Sequence, residues 1–136
     1  MLCLTIITFL FYSLNVTGVK IKNFVLVDGS CIQTEPIDLA FWFPYCIAVI
    51  IFYSKPDIGQ WILLSLYLLG IVVLSVNTFK YTLFPNERKI KGYNKCFEKT
   101  HHIFKPSDKR LIPDTFHLTL YILLYINLVS MILFIK

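Results

Sequence analysis

Four long apolar runs, separated by polar segments, dominate the pattern of hydrophobic and polar positions along the chain. The runs cover residues 2–18, 39–54, 61–84 and 116–135. A membrane-spanning helix needs roughly 20 mostly apolar residues, within a range of about 17–25. The pattern therefore predicts an all-α fold: one domain over residues 1–136, built as an integral membrane helical bundle of four transmembrane helices.

The first run is open to a second interpretation, as a secretory signal peptide. Its end at Val16, Thr17 and Gly18 is small enough for cleavage, and three spans would then remain. A signal peptide, however, carries a positive charge before its apolar stretch, whereas here Lys20 and Lys22 follow it. The order of these charges favours a retained span.

The polar segments predict how the helices connect. Only residues 55–60 separate the second and third runs, which predicts an antiparallel helical hairpin. Pro44 inside the second run predicts a kinked helix, and Pro85 ends the third helix. The loop over residues 85–115 shows no sustained period, apart from a weak helical pattern over residues 93–102.

Almost all of the net charge lies in this loop and at its edge. The segment from Lys80 to Asp114 carries nine Lys or Arg and four Asp or Glu, an excess equal to the +5 of the whole chain. Loops rich in Lys and Arg stay on the cytoplasmic side of a membrane. The loop 85–115 and the segment 19–38 are therefore predicted to be cytoplasmic, with both termini on the luminal side.

Composition favours lipid over water as the solvent of the apolar runs. The chain is 57% hydrophobic, against roughly 45–50% in average globular proteins, and small domains have little interior in which to hide a surplus. The lipid bilayer is therefore the first predicted partner. A pI of about 9.0 would suggest nucleic-acid binding in a soluble protein, but the loop explains the charge, and no nucleic acid is expected.

The four cysteines give no sign of a disulfide framework or a metal site. They stand at Cys3, Cys31, Cys46 and Cys96, with no paired spacing. Such isolated cysteines are predicted to act as small, buried or lipid-adjacent hydrophobic residues.

No arrangement of residues predicts catalysis. His101 and His102 are adjacent, so on a helix they would point in different directions, and their basic surroundings disfavour a metal ion. His117 begins the last run without an obvious acidic partner. There is no nucleophile motif, no phosphate-binding loop and no acidic residue inside a run. The chain is predicted to be a non-enzyme without a cofactor or metal.

Two amides interrupt the apolar runs. Asn77 lies in the third run and Asn127 near the middle of the last. A buried amide in a membrane helix most often bonds a neighbouring helix, so Asn127 is predicted to be an interhelical contact rather than a ligand site. Asn77 is predicted either to make an interhelical contact or to lie at the membrane interface.

Three short stretches, taken in order, resemble the cornichon family of cargo receptors. The first is Pro36-Ile37-Asp38-Leu39, just before the second predicted helix, and the second is Ile103-Phe104-Lys105 followed by Lys109-Arg110, within the predicted cytoplasmic loop. The third is Phe116-His117-Leu118 with residues 130–133, which is similar to the family's final helix.

The resemblance implies a cargo adaptor that binds transmembrane client proteins and promotes their vesicle-mediated export from the endoplasmic reticulum, cycling to the Golgi. It implies that Ile103 and Phe104 enter a pocket of a COPII-type vesicle coat while Lys105, Lys109 and Arg110 orient the contact. If the family resemblance is set aside, the same two apolar residues are explained as inserting into the membrane interface.

Two other classes remain open. A small non-catalytic subunit of a respiratory or ATP-synthase complex in the mitochondrial inner membrane would share the uncharged start and the lack of catalytic residues. A viral membrane protein with a cleaved signal is the third class.

Overall fold

The computed structural model describes residues 1–22, 24–28 and 37–135, without the side chains at 37, 38 and 77. The described part is mostly helical and contains one two-stranded sheet. The elements are α1 Leu2–Thr17, β1 Val19–Ile21, β2 Phe24–Val27, α2 Ile37–Ser54, α3 Pro56–Leu83, α4 Glu87–Cys96 and α5 Thr115–Ile135.

The four apolar helices form a closed ring in which each packs against two neighbours, in the order α1, α2, α3, α5 and back to α1. Two of them, α3 and α5, are long and apolar enough to cross a membrane, while α1 and the apolar part of α2 are shorter. The helical interpretation of all four apolar runs is confirmed.

A layer of polar side chains lies inside this ring and ties α1 to the other three helices. Thr5 and Thr8 of α1 are fully buried. The Tyr67 hydroxyl of α3 donates to Thr5 Oγ1 at 3.2 Å, and the Asn127 amide of α5 donates to Thr8 Oγ1 at 2.6 Å. The Tyr45 hydroxyl of α2 donates to the Thr5 carbonyl oxygen at 3.4 Å. Loss of α1 would leave these buried donors without their acceptors, which costs about 1–3 kcal/mol each.

The hairpin between α2 and α3 is tighter than the sequence suggested. The polar residues 55–60 were predicted as a turn, yet α3 already begins at Pro56 and only Lys55 separates the helices. Proline is favourable in the first turn because its missing N–H has no partner there in any case. Gly59 then lies against the backbone of Phe52, where an added Cβ would stand 2.2 Å from Cα.

The segment after α1, predicted only as a polar connection, departs from the otherwise mostly helical fold and forms a β-hairpin. Strands β1 and β2 pair antiparallel, with Ile21 opposite Phe24 and Lys20 opposite Val25. The β-branched and aromatic residues of this segment favour strands. The hairpin also reaches the distant loop, because Val25 forms a bridge with Thr100 and accepts a hydrogen bond from the His101 N–H at 2.9 Å.

The long loop contains a helix earlier than the predicted position. The pattern suggested residues 93–102, whereas α4 covers Glu87–Cys96. The side chain of Asn86 accepts a hydrogen bond from the Lys89 N–H and caps the helix, as Asn commonly does. Ile90 is the fully buried anchor of α4.

Candidate functional site

The loop between α4 and α5 displays two large apolar side chains to the outside. Ile103 is 58% exposed and Phe104 is 59% exposed. Three exposed cations follow this pair along the chain. We call the five residues the loop surface: Ile103, Phe104, Lys105, Lys109 and Arg110. Exposed apolar side chains beside cations form a surface suited to a partner with apolar and acidic groups.

Backbone contacts hold the chain immediately before the loop surface. His101 donates its N–H to Val25 of the hairpin, and its carbonyl oxygen accepts the N–H of Thr115 at 2.9 Å. The ring Nδ1 of His101 lies 2.8 Å from Thr115 Oγ1. The loop is thus fixed to β2 on one side and to the start of α5 on the other.

A second set of contacts holds the chain after it. The Asn94 amide of α4 donates to the Ser107 carbonyl oxygen at 3.1 Å. The Leu111 carbonyl oxygen accepts the Thr82 hydroxyl at 2.6 Å, and Leu111 itself is buried. Ile103 and Phe104 therefore project from a segment fastened at both ends, which lowers the conformational entropy that a partner must remove on binding.

A contact between buried Asp114 and His117 holds the base of this loop and corrects the prediction for His117. Asp114, 1% exposed, lies 2.6 Å from His117 Nδ1, so the histidine does have an acidic partner. The Asp114 carboxylate also accepts the backbone N–H of His117 at 2.9 Å and caps α5. The signal was present in the sequence, because Asp before an apolar helical run is a common N-cap.

Tyr93 of α4 completes this cluster. Its hydroxyl accepts the backbone N–H of Asp114 at 3.2 Å, and its ring packs against Phe97 and His117. Burial, together with the nearby charge of Asp114, raises the pKa of Tyr93 well above its usual value. Tyr93 therefore remains a neutral phenol and acts as a fixed link between α4 and α5.

The charge state of Asp114 follows from two opposing effects. Burial on its own raises the pKa of a carboxyl group. Here the hydrogen bonds and positive charge of His117, with a hydrogen bond from Thr100, outweigh burial and hold the pKa of Asp114 below its usual value. Asp114 is accordingly a carboxylate at neutral pH.

The histidines do not form a metal site within the described part of the chain, where no group of three or more His, Cys, Asp or Glu is placed to hold an ion. His102 Nε2 lies 3.0 Å from the Phe97 carbonyl oxygen. His101 and His102 therefore bond the loop backbone and its neighbours rather than a shared ligand.

The other predicted site residues lie apart from the loop surface. Asn127 is buried inside the ring and bonds Thr8 of α1. The side chain of Asn77 lies outside the description. Pro36 also lies outside the described residues, the side chains of Ile37 and Asp38 are not described, and Leu39 is half-buried in α2.

The cysteine prediction is wrong at one position. Cys96, the last residue of α4, is disulfide-bonded. Cys3 and Cys46 are free, and Cys31 lies outside the described residues. Spacing along the sequence did not reveal this bond.

No family model matches the chain, and neither the curated proteins nor the solved structures include a significant match.

Proposed function

We propose that the protein is a non-catalytic membrane adaptor: a bundle of four membrane helices that binds a partner protein through the loop surface. The observation that carries the proposal is the exposure of Ile103 and Phe104 on a loop fastened at both ends. An apolar pair exposed to water without a partner is unfavourable by about 25 cal/mol per Å², so a surface that keeps it rigidly exposed favours a binding role.

The membrane part of the proposal draws support from the outer faces of the helices. In the most apolar windows of α3 and α5, only 29% and 28% of the residues are buried inside the molecule. The core helix of a soluble protein would be mostly buried. Exposed side chains such as Leu69, Val72 and Leu133 are suited to lipid, whereas the hydroxyls of Thr5 and Thr8 are enclosed inside the ring and accept hydrogen bonds there.

The resemblance to cornichons supplies the finer version of the proposal. In that version the outer helix faces pack against the transmembrane helices of client proteins, and the loop surface meets a COPII-type coat in the cytosol. The adaptor then promotes export of its clients from the endoplasmic reticulum and cycles to the Golgi.

The test replaces both apolar residues of the loop surface, as Ile103→Ala with Phe104→Ala. Both side chains are more than half exposed, so the fold should lose little stability. If each contributes about 1 kcal/mol or more to a partner interface, recovery of co-purifying proteins should fall about tenfold or more, and the variant should accumulate in the endoplasmic reticulum.

The matched control is Ile58→Ala, at the start of α3. Ile58 is 55% exposed but lies in the α2–α3 hairpin, away from the loop. The Ile58→Ala variant should recover as many co-purifying proteins as the wild type and should show the same distribution among membranes. If the double variant recovers as much partner protein as the wild type, the loop surface is not the binding surface. If the protein co-migrates with a respiratory complex, the mitochondrial alternative replaces the adaptor.

A further inference from the structure

A cleft of about 330 Å³ opens where the first helix, the β-hairpin and the long loop meet. This volume lies at the lower end of the range for small-ligand pockets, roughly 300–1,000 Å³. Its lining includes the end of α1, the hairpin strands and one residue of the long loop: Thr17, Gly18, Lys20, Val25, Asp28 and Lys99. None of the five residues of the loop surface is among its described lining, so the cleft is a separate candidate site.

Two lysines from distant parts of the chain meet at this cleft. Lys20 lies opposite Val25 in the hairpin, and Val25 bridges to Thr100, the residue after Lys99. Both lysines are exposed, and both line the cleft. Lysine ammonium groups bind phosphate as point charges. The pair is therefore suited to the phosphodiester of a ligand.

The same cleft also presents negative charge. Asp28 lines it, and so does the C-terminal end of α1 at Thr17 and Gly18. A helix C-terminus carries a partial negative charge from its last carbonyl groups. Asp28 already interacts within the protein, but a carboxylate has room for about four hydrogen bonds. A purely anionic ligand would be repelled by these groups, whereas a zwitterion with an ammonium group finds a partner for each of its charges.

An exposed apolar face of α1 leads to the cleft. Ile6 and Leu10 are exposed, and they lie eleven and seven residues before Thr17. At about 3.6 residues per turn these spacings are close to three and two whole turns, so the three residues share one face of the helix. Ile6 lies roughly 16 Å from Thr17 along the axis, which matches the roughly 15 Å of hydrocarbon in one lipid leaflet.

We propose that the cleft binds the headgroup of phosphatidylethanolamine. The phosphate lies at Lys20 and Lys99, the ammonium at Asp28 and the end of α1, and the acyl chains along the exposed face of α1. A primary ammonium donates three hydrogen bonds, whereas the trimethylammonium of phosphatidylcholine donates none, so the site distinguishes two lipids of equal charge. The inference rests on the membrane placement in the proposed function and makes no use of the loop surface.

The experiment measures lipid binding to the full-length protein in detergent by native mass spectrometry. The probes are dioleoyl phosphatidylethanolamine, phosphatidylcholine and phosphatidylglycerol, which share their acyl chains and differ only in the headgroup. We expect one phosphatidylethanolamine to be retained, with binding several-fold tighter than that of either other lipid. Equal retention of the three lipids would overturn the proposal, because the headgroup would then make no difference.

Two variants test the two charges of the site separately. Lys20→Gln with Lys99→Gln should weaken phosphatidylethanolamine binding on the order of tenfold, because both phosphate contacts are lost. Asp28→Asn should remove the preference over phosphatidylcholine and phosphatidylglycerol. Both lysines are exposed, so the double lysine variant should fold normally and keeps the test valid even if Asp28→Asn does not fold. Unchanged binding in the double lysine variant would overturn the site.

The matched control is Arg88→Gln with Lys89→Gln, which removes two exposed cations of α4 outside the described lining of the cleft. It changes the net charge by the same amount as the double lysine variant. Its affinity for phosphatidylethanolamine should remain that of the wild type. An equal loss in the two variants would show a general effect of charge and would overturn the site.

A soluble headgroup distinguishes a lipid from a free phosphodiester. Glycerophosphoethanolamine carries the same charges without acyl chains, so it should not displace phosphatidylethanolamine at equal concentration, because the apolar contribution is missing. Displacement at equal concentration would reject the lipid as the ligand. A protein that resists alkaline carbonate but shows no preference for phosphatidylethanolamine would reject the site and retain the membrane placement. Release by carbonate with an intact preference would reject the placement and retain the site.

Discussion

Asp114 is the residue on which the junction between the loop and the last helix depends. It caps α5, pairs with His117 and receives support from Tyr93 through its own backbone. A histidine and a capping aspartate three positions apart can be found in a sequence. Their burial and their contact with α4 cannot, because these depend on how the loop returns to the bundle.

Replacing Asp114 by Ala should destabilise the protein by about 1–3 kcal/mol, because it removes the cap and leaves the His117 donors without their acceptor. The thermal midpoint of the detergent-solubilised protein measures this loss. Asp114→Asn keeps a hydrogen-bond acceptor but no charge, so its thermal midpoint should lie between those of the wild type and Asp114→Ala.

The pH dependence has a defined sign. The pKa of Asp114 is lowered on folding from about 3.8, so its charge stabilises the folded state above that value, and the effect is lost as pH falls below it. The wild-type midpoint should therefore drop more steeply than that of Asp114→Asn below about pH 4. Glu87→Gln is the control, because the exposed Glu87–Lys91 pair contributes little. Parallel acid curves for wild type and Asp114→Asn would contradict the assignment.

At the scale of elements, hydrophobic periodicity predicted the apolar helices but not the short elements whose formation depends on tertiary contacts. The ends of the four apolar helices lie within one or two residues of the prediction, apart from the start of α3 at Pro56. The β-hairpin was missed and α4 was predicted too late in the loop, because both are short and depend on partners: the hairpin contacts Thr100, and α4 is anchored by Ile90. The sequence predicted which residues form the loop surface. It did not predict the hydrogen bonds that hold the loop before and after that surface.

Two glycines provide a matched test of the helical hairpin. In Gly59→Ala the new Cβ meets the backbone of Phe52, so α2 and α3 must separate, and we expect destabilisation of about 1–3 kcal/mol. In Gly92→Ala, within α4, nothing lies within 4 Å of the new Cβ, so the variant should gain about 1 kcal/mol from helix propensity. Detergent unfolding measures both. A stabilised Gly59→Ala would show that the helices are not in close contact.

At the scale of the whole molecule, charge and apolar surface are separated. The apolar outer faces surround the helical ring, and most cations lie in the segments at one end. Hydropathy predicted this division, because it depends on composition and order along the chain. It did not predict that the two polar segments contact each other through Val25 and Thr100.

The proposed placement predicts two outcomes in vesicles. Alkaline carbonate should leave the protein in the membrane pellet. A protease site inserted after Pro106, in an exposed part of the loop, should be cut from the cytosolic side, whereas a tag after the last residue should be protected until detergent is added. Release by carbonate, or the reverse pattern of protection, would reject this placement.

The hydrogen bond between Asn127 and Thr8 has a consequence for synthesis, because its two partners are 119 positions apart. At about 5–20 residues per second, the ribosome makes the second partner on the order of ten seconds after the first. During that interval the hydroxyl of Thr8 is without the amide that bonds it in the finished fold, whereas Tyr67, the donor to Thr5, is made earlier. A nascent chain that stops before residue 127 therefore lacks the donor that satisfies Thr8 in the finished fold.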